Sequence, residues 1–478
     1  MKLYKEINKN PSIAWITEKI IDRRINSEYY DVSNLSQSEK LSSMEYISKY
    51  FDLSKKRFDP NKYKKQTFKY IDISNVDINT GKYEISVIDK FEAPSRARKK
   101  VDKGDILIST VRPNRNAVAI ISENDEGLVA STGFAVLLSK DNIDRYYSFA
   151  ALKNQFTIKQ LIRKASGGMY PAIAEEEVMS LKIPIPSPEI QKYIGDKVRR
   201  AEELREESKL LREEAENIIK VQLLLDKNQS LYNNNAGNPS LEFTKYPINL
   251  FVKPKDITER IDSKSYHPEY FETLDFLNNN KFKVMKLYNV IEDYSTGISS
   301  PKYTDDGIRI LMTKNIKNDA IDLECKLVNR KVETKYRVNY GDVLITTYGG
   351  PSIGKVDIFT SKEECVYDYT ILKLKFKSDY NPFFMTLLLR SKLIQNQIRN
   401  LIKGTTGITF VIPKEILNIN IPIFDKDIQD EVGDIYKKSL ECIDISKQLI
   451  QEAKQDVEDL IEGNFDMSKL NETTTESR

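Results

Sequence analysis

Two long stretches of the chain place apolar or small residues at alternating spacings of three and four. In the first they are Ala201, Leu204, Ser208, Leu211, Ala215, Ile218, Gln222 and Leu225, and in the second Tyr436, Leu440, Ile443, Ile450, Ala453, Val457 and Leu460. This spacing predicts helices with a coiled-coil seam. Because a lone helix cannot cover such a seam, we expect the two helices to pair as an antiparallel coiled coil. The alternative is that each helix packs on its own globular domain.

The segments between the helices combine short apolar runs with amphipathic stretches. Residues 104–110 (GDILIST), 341–347 (GDVLITT), 134–138 and 370–376 predict strands, two of them introduced by a Gly-Asp turn. Residues 149–164 and 383–403 predict helices. The chain is therefore assigned to the α+β class.

Four sequence blocks occur twice in the same order, at offsets of 236 to 240 residues (260 − 24 and 315 − 75, for example). They are residues 24–27 with Tyr30 against 260–263 with Tyr266, the segments around Asn75 and Asn315, residues 104–110 against 341–347, and residues 183–186 with Gln191 against 421–424 with Gln429. Four matches in register indicate a tandem duplication. We therefore expect two similar mixed α/β domains in tandem, separated by the long helices.

The repeat, together with the composition of the segments between its copies, predicts that the chain is divided into six segments. They are a first domain at 1–192, a spacer helix at 193–227, an Asn/Ser-rich linker at 228–250, a second domain at 251–425, a second spacer helix at 426–462 and a disordered tail at 463–478.

Composition excludes several classes of protein. The 478 residues carry a net charge of only +3, so any affinity for nucleic acid must come from local clusters of charge. Three scattered cysteines match no zinc or disulfide spacing, which favours a reducing cytoplasm. A single histidine argues against histidine-based metal sites, and no apolar run is long enough for a membrane span.

Charge is distributed alike in the two copies. Residues 145–174 and 380–414 contain no Asp or Glu, in a chain that has 71 of them, yet each window carries five Lys or Arg. Each contains a loop of small residues, at 166–170 and 404–407, whose backbone amides could approach a phosphate. The DNA-contact candidates here are Lys159, Arg163, Lys164, Gly167, Gly168, Tyr170, Arg399, Lys403, Thr405 and Thr406. The alternative is a solvated basic face.

Two further regions carry candidate nucleic-acid contacts. Residues 55–115 are strongly basic, with Phe58, Tyr63, Phe68 and Tyr70 interleaved. The loop after the Gly-Asp strand differs between the copies, as expected of two domains that bind different sequences. Its candidates are Arg112, Asn114 and Arg115, whose donors suit guanine and adenine edges, and in the second copy Tyr348, Ser352 and Lys355. The alternative is a turn that only connects strands.

Apparent enzyme motifs are incomplete. Residues 349–355 fit the phosphate-loop pattern GxxxxGK, but Val356 replaces the expected Ser or Thr and a strand-like segment follows. Asn381-Pro382-Phe383 lacks the second proline of the amino-methyltransferase tetrapeptide, and His267 lies in a predicted loop. We therefore expect no catalytic residues, no metal and no cofactor in this chain.

The duplicated blocks and the helix after each make the chain similar to the specificity subunits of type I restriction–modification systems, over about residues 20 to 462. Two departures from that family are Ile190 and Ile428, where glutamate usually precedes the glutamine, and Phe424, where proline is usual. The resemblance implies a cytoplasmic, non-catalytic subunit that binds double-stranded DNA. Each of its two target-recognition domains reads half of a bipartite, asymmetric site.

The resemblance also implies partner subunits. Two copies of a methyltransferase would dock on the helices and methylate adenine with S-adenosylmethionine. A motor–nuclease subunit using ATP and magnesium would join for restriction. Three alternatives remain open: a recognition subunit of a methylation-based phage-defence system without a motor, a nuclease or ATPase with its own site, and a scaffold that binds no DNA.

Overall fold

A computed structural model describes residues 4–9, 12–16, 40–167, 171–223, 266–279, 282–404 and 408–472. Some features named above lie outside these residues: the blocks at 24–30 and 260–263, the linker at 228–250, and residues 168–170 and 405–407. The chain forms two compact units. Unit 1 comprises residues 1–205 and 444–478, and unit 2 comprises residues 206–443.

Unit 1 is built on two four-stranded sheets. Its elements are β1 (Tyr4–Lys9), β2 (Ser12–Ile16), β3 (Glu45–Tyr46), β4 (Phe51–Leu53), β5 (Thr67–Ile71), β6 (Ser86–Asp89), β7 (Ala97–Val101), β8 (Ile106–Ser109), β9 (Val118–Ile120), β10 (Leu128–Ser131), β11 (Phe134–Ser139), α1 (Arg145–Lys153), α2 (Gln155–Lys164), α3 (Glu175–Val178), β12 (Lys182–Ile183) and the start of α4 (Pro188–Gln222). The sheet orders are β4-β11-β8-β9, all antiparallel, and β6-β5-β10-β7, in which β5 and β10 are parallel. The short strands β3 and β12 pair separately, as do β1 and β2.

Unit 2 repeats this plan. Its elements are α5 (Pro268–Asn279), β13 (Lys283–Lys286), β14 (Ile291–Thr296), β15 (Tyr303–Thr304), β16 (Ile308–Leu311), β17 (Lys326–Val328), β18 (Arg337–Val338), β19 (Val343–Thr346), β20 (Val356–Ile358), β21 (Cys365–Tyr367), β22 (Ile371–Phe376), α6 (Pro382–Arg390), α7 (Lys392–Asn400), α8 (Pro413–Ile416), β23 (Asn420–Ile423) and the start of α9 (Lys426–Glu462). The orders β14-β22-β19-β20 and β15-β17-β16-β21-β18 match those of unit 1, apart from the added edge strand β15. The tandem duplication and the α+β class are therefore confirmed.

The Gly-Asp pair before β8 and β19 makes the same turn in both units. Gly104 and Gly341 have positive φ angles of 81° and 89°, which glycine adopts without a steric penalty. The aspartate after each glycine is buried, and its carboxylate accepts a hydrogen bond from the backbone N–H three residues earlier, at 2.9 Å for Asp105 and 2.8 Å for Asp342. These turns lead into β8 and β19, whose residues are all buried.

The glutamine and glycine at the start of each long helix hold the N-terminus of an equivalent helix in each unit, α1 in unit 1 and α6 in unit 2. Oε1 of Gln191 accepts from the Asp144 N–H at 3.1 Å, and Oε1 of Gln429 accepts from the Asn381 N–H at 3.2 Å. Asp144 and Asn381 are the N-cap residues of α1 and α6. Gly195 and Gly433 lie against these cap side chains so closely that a Cβ would clash. Asn381 therefore has a structural role as a helix cap.

The apolar seams of the two long helices are buried, and in each unit a part of one helix packs on a part of the other. In unit 1 the first half of α4 packs on the second half of α9, through Ala201, Ile450, Ala453 and Val457 among others. In unit 2 the second half of α4 packs with the first half of α9, including Tyr436. This antiparallel pairing confirms the predicted coiled coil.

The register of α4 differs from the prediction at its end. Ile219 and Leu223 are buried, Ile218 is only partly buried and Gln222 is exposed. A straight α-helix has 3.6 residues per turn, so its buried face moves away from a strict 3.5-residue repeat. Residue 225 lies outside the described residues. The helix also begins at Pro188, before the predicted position 193, since proline suits the first turn of a helix.

Residues after Gly463 are ordered as far as Glu472, in contrast to the predicted disorder. Phe465 packs on Tyr193 with ring centroids 6.2 Å apart, and Leu470 joins the core of unit 1. Lys469 lies 2.8 Å from the buried carboxylate of Asp456. The predicted disorder rests on the mostly polar composition of the whole tail. Composition averaged in this way does not reveal the few residues that make these three contacts.

One buried position behaves differently in the two units. In unit 1 it holds Lys153, which is 1% exposed and donates weakly to the carbonyls of Asn116 and Val118, at 3.4 and 3.5 Å. Burial lowers the pKa of Lys153 to about 7. In unit 2 the equivalent Arg390 forms an ion pair with Asp357, a residue whose place in unit 1 is taken by Ala119.

The helix-start contact predicts the effect of Gly195→Ala. Alanine normally stabilises a helix interior by about 1 kcal/mol relative to glycine. Here the added Cβ meets the Asp144 carboxylate, so we expect the free energy of unfolding to fall by about 1–3 kcal/mol. Chemical denaturation measures it, with the exposed Glu206→Ala in the same helix as control. A stabilised Gly195→Ala protein would contradict this contact.

The buried lysine predicts a pH dependence. Between pH 7 and 10.5 the unfolded chain keeps the Lys153 proton and the folded chain loses it, so this residue makes unfolding progressively less favourable as pH rises through that window. In the wild-type protein, Lys153 should therefore add an increase on the order of a few kcal/mol to the free energy of unfolding across this pH window. We expect the Lys153→Met protein to lack this increase. Lys192→Met, on the surface, serves as control. Parallel curves for wild type and Lys153→Met would disprove the assignment.

Candidate nucleic-acid interface

Two loops that are distant in sequence meet in unit 1. Val111, directly after the Gly-Asp strand, pairs with Ala172, which also pairs with Ser166 to close a hairpin over the small-residue loop. The Arg112 N–H donates to the Pro171 carbonyl at 2.8 Å, and the Ile173 N–H donates to the Thr110 carbonyl at 2.9 Å. The two loops that sequence singled out, 111–116 and 166–172, therefore form one surface, here called the unit 1 loop pair.

Unit 2 builds the same arrangement. Tyr348 pairs with Phe410, which also pairs with Lys403 to close the second hairpin. The Val411 N–H donates to the Thr347 carbonyl at 2.9 Å, the counterpart of the bond between residues 173 and 110. The Gly350 N–H adds a bond to Thr409 Oγ1 at 3.1 Å. Loops 348–354 and 403–410 form the unit 2 loop pair.

The first loop of unit 1 is a tight turn between two left-handed residues. Arg112 and Asn116 have φ angles of 50° and 48°, on either side of a 3-10 turn at Pro113–Arg115. Asn116 points inward and donates to the Lys153 carbonyl at 2.9 Å, whereas Asn114 and Arg115 are exposed and Arg112 is half-buried. A left-handed arginine is unfavourable, and such strained residues concentrate at binding sites.

The basic candidates of unit 1 lie on the helix beside this loop. Lys159 is exposed on α2, near the Phe156 ring, and Arg163 and Lys164 are half-buried in the last turn of the helix, which packs against the turn at 113–115. Gly167 follows with a φ of 99°, in the hairpin. Gly168 and Tyr170 lie outside the described residues.

The basic candidates of unit 2 have acidic partners from outside the acid-free window. Arg399 lies 3.0 Å from the Glu269 carboxylate, which also binds Lys392, and Lys403 pairs with Glu415. Tyr348, Ser352 and Lys355 are half-buried in the loop pair, and Thr405 and Thr406 lie outside the described residues. An acid-free stretch of sequence is therefore not an acid-free surface in unit 2.

The aromatic residues of the basic segment at 55–115 belong to the core. Phe58 and Phe68 lie with ring centroids 4.8 Å apart, and Tyr63 and Tyr70 pack around them. Phe58, Phe68 and Tyr70 are buried, so they cannot stack on bases. The exposed aromatic residue of this segment is Phe91.

Sequence reasoning missed two aromatic residues beside the unit 2 loop pair. Tyr369 lies on the turn between β21 and β22, and Phe410 lies in the hairpin. Their counterparts in unit 1, by the same backbone contacts, are Thr132 and Ala172. Aligning the two copies through these turns at the same offset of 237 to 238 residues would have shown that aromatic residues in unit 2 replace small residues in unit 1.

The phosphate-loop-like segment and the cysteines have the following surroundings in the described residues. The GxxxxGK segment leads into strand β20, so no helix N-terminus faces it. Within the described ranges, no cluster of three or more His, Cys, Asp or Glu is placed to hold a metal ion. Burial raises the pKa of Cys325 to about 11 and of Cys365 to about 12, which keeps these thiols protonated at neutral pH. None of the described helices could cross a membrane.

Residues 6–215 match the family model of the type I restriction modification DNA specificity domain. One relative is the type I restriction enzyme HindI specificity subunit of Haemophilus influenzae, 31% identical over 147 residues, which are 30% of this chain and 31% of that protein. The chain thus matches about a third of the length of this relative.

Solved structures similar to the chain include two named specificity subunits. The HsdS subunit from Thermoanaerobacter tengcongensis is 19% identical, with a TM-score of 0.31, over 88% of this chain and 95% of that one. The type I S subunit from M. genitalium is 14% identical, with a TM-score of 0.41, over 89% and 96%. By its match to the family model, the segment from residue 6 to residue 215 is similar to the type I restriction modification DNA specificity domain.

Proposed function

We propose that the chain is the DNA-binding specificity subunit of a type I restriction–modification complex, with one target-recognition domain in each unit. The observation that carries this proposal is the loop pair. The same backbone hydrogen bonds join two loops in both units, while the side chains that the loops present are different. A common scaffold with different loops suits two domains that recognise different DNA sequences.

In unit 1 the loop pair would read bases and the adjoining helix would bind phosphate. Asn114 and Arg115 are exposed at the tip of the turn, and their donors match adenine and guanine edges in the major groove. Arg112 lies beside them. Lys159, Arg163 and Lys164 on α2, with the backbone amides of Gly167 and Gly168, would neutralise and bind the DNA backbone.

In unit 2 the expected base contacts are Tyr348, Ser352 and Lys355. Thr405 and Thr406 would contact the DNA backbone. Arg399 and Lys403 could reach a phosphate only by sharing or leaving their partners Glu269 and Glu415.

We assign the chemistry to partner subunits. Two methyltransferase subunits would dock on the paired helices and supply S-adenosylmethionine, and a motor–nuclease subunit would supply ATP hydrolysis and cleavage with magnesium. The solvent-exposed faces of the helices, which include Leu210 on α4 and Ile445 on α9, are accessible for such docking. The chain itself would contribute sequence recognition and no catalytic group.

The methylated sequence in a host that carries this chain and its methyltransferase tests the proposal. Because the two loop pairs differ, we expect methylated adenines in one motif made of two short, unlike halves separated by unspecified bases. Long-read sequencing detects the modified positions. A continuous motif, a palindrome or no methylation that depends on this chain would overturn the proposal.

The contribution of α2 is testable through salt dependence. Replacing Lys159, Arg163 and Lys164 by alanine should weaken DNA binding of the purified complex, most strongly at low salt. It should also lower the slope of log affinity against log salt by about one per lost phosphate contact. The control replaces Lys49, Lys140 and Lys192, three lysines in ion pairs elsewhere on unit 1, with the same change in charge. Equal slopes for both triple variants would show that α2 does not contact phosphate.

A further inference from the structure

Three equivalent positions surround the loop pair in each unit, and the residues at these positions differ in size and type between the two units. In unit 1 they hold the small residues Val111, Thr132 and Ala172. In unit 2 they hold three aromatic residues, Tyr348, Tyr369 and Phe410, here called the aromatic cluster. The equivalence rests on the backbone. Val111 pairs with Ala172 as Tyr348 pairs with Phe410, and the N–H groups of Thr110 and Thr347 both donate to the carbonyl of the residue after the second position, at 2.8 Å.

The three rings pack on one another around Tyr348. The Tyr348 ring is stacked on Phe410, with centroids 5.6 Å apart, and meets the edge of Tyr369 at 5.3 Å. Tyr369 nevertheless remains 43% exposed. Because unit 1 closes the same hydrogen bonds with small residues, the rings are not needed to form the loop pair. Their apolar surface at this place therefore calls for another explanation.

Two exposed lysines occur in the sheet from which Tyr369 follows, or shortly after one of its strands. Thr313, whose Oγ1 is 2.8 Å from that of Thr370, is followed by the exposed Lys314. In the sheet that contains β21, Lys326 lies over the ring of Tyr303 at 4.1 Å, and the Tyr303 hydroxyl reaches the sulfur of Met312, the residue before Thr313. Apolar ring surface together with exposed lysines suits a polyanion that also presents apolar groups, as the major groove of DNA does at thymine methyls.

We propose that Tyr348, Tyr369 and Phe410 determine part of the sequence specificity of unit 2, by apolar contact with a thymine C5-methyl group in its half of the target. This inference rests on the proposed function and goes beyond it, because it assigns a base and a chemical contact to one half-site. Unit 1, with Val111, Thr132 and Ala172 at these positions, reads its half through the polar side chains of residues 112–115.

Replacement of thymine by deoxyuridine tests the contact, because it removes only the C5-methyl. Binding of the intact complex is measured on duplexes in which each thymine of the target is replaced in turn. We expect one or more replacements in one half to weaken binding of the wild-type complex about fourfold, the effect of losing one buried methyl group. The variant Tyr369→Thr, which introduces the unit 1 residue, should bind thymine and deoxyuridine duplexes equally at those positions.

Two further variants make the result decisive. Tyr348→Val, Tyr369→Thr and Phe410→Ala together recreate the unit 1 set, which is compatible with the loop-pair hydrogen bonds, and should also lose the discrimination. Tyr294→Thr removes a tyrosine with the same 43% exposure elsewhere in unit 2 and should retain it.

Two outcomes would overturn the inference while leaving the proposed function intact. In one, a wild-type complex that binds its bipartite target is indifferent to every deoxyuridine. In the other, Tyr369→Thr retains full discrimination. A wild-type complex with no sequence-specific binding would instead overturn the proposed function.

Discussion

The structure depends on the burial of two long apolar seams. A helix of 35 residues and one of 37 residues each expose more apolar surface than either could leave in water. Each seam is covered by the other helix together with the globular part of the same unit. Unit 1 contains the start of α4 with the end of α9, and unit 2 contains the end of α4 with the start of α9. Unit 1 is therefore made of two separate segments of the chain, whereas unit 2 is one continuous segment, and each unit contains part of both long helices.

Polar contacts make this pairing specific. Lys197 of α4 lies 2.7 Å from the buried carboxylate of Asp456 in α9, and Arg212 lies over the ring of Tyr436. A buried carboxylate without such a partner would cost several kcal/mol, about 3–5 when one member of a buried pair is removed, so slipped registers of the helix pair are disfavoured. At the start of each long helix, a glutamine side chain accepts a hydrogen bond from the N-cap residue of a shorter helix. Gln191 of α4 binds the cap of α1, and Gln429 of α9 binds the cap of α6. The position of each long helix on its globular part is thus set by a few hydrogen bonds.

The loop pairs show how one scaffold can present two different surfaces. Backbone hydrogen bonds hold both loops, so their side chains are free to differ without loss of the frame. Unit 1 uses this freedom for a strained turn with exposed polar residues, supported from below by Lys153. Unit 2 uses it for a glycine-containing turn with three packed rings, above the ion pair of Arg390 and Asp357. The difference at the surface is thus accompanied by a difference in the buried charge beneath it.

The amino-acid sequence by itself determined the duplication, the strands after each Gly-Asp turn, the paired helices and the position of the loops, because these follow from local turn chemistry and from periodic burial of apolar residues. Tertiary structure decided which charges are paired. Glu269 and Glu415 neutralise Arg399 and Lys403 from outside the acid-free window, and Phe58, Phe68 and Tyr70 are buried although they are interspersed with lysines. It also decided that Phe465 and Leu470 order the segment after Gly463. Ion pairing and burial depend on contacts between residues that are distant in sequence. The composition of a single sequence window contains no information about such contacts.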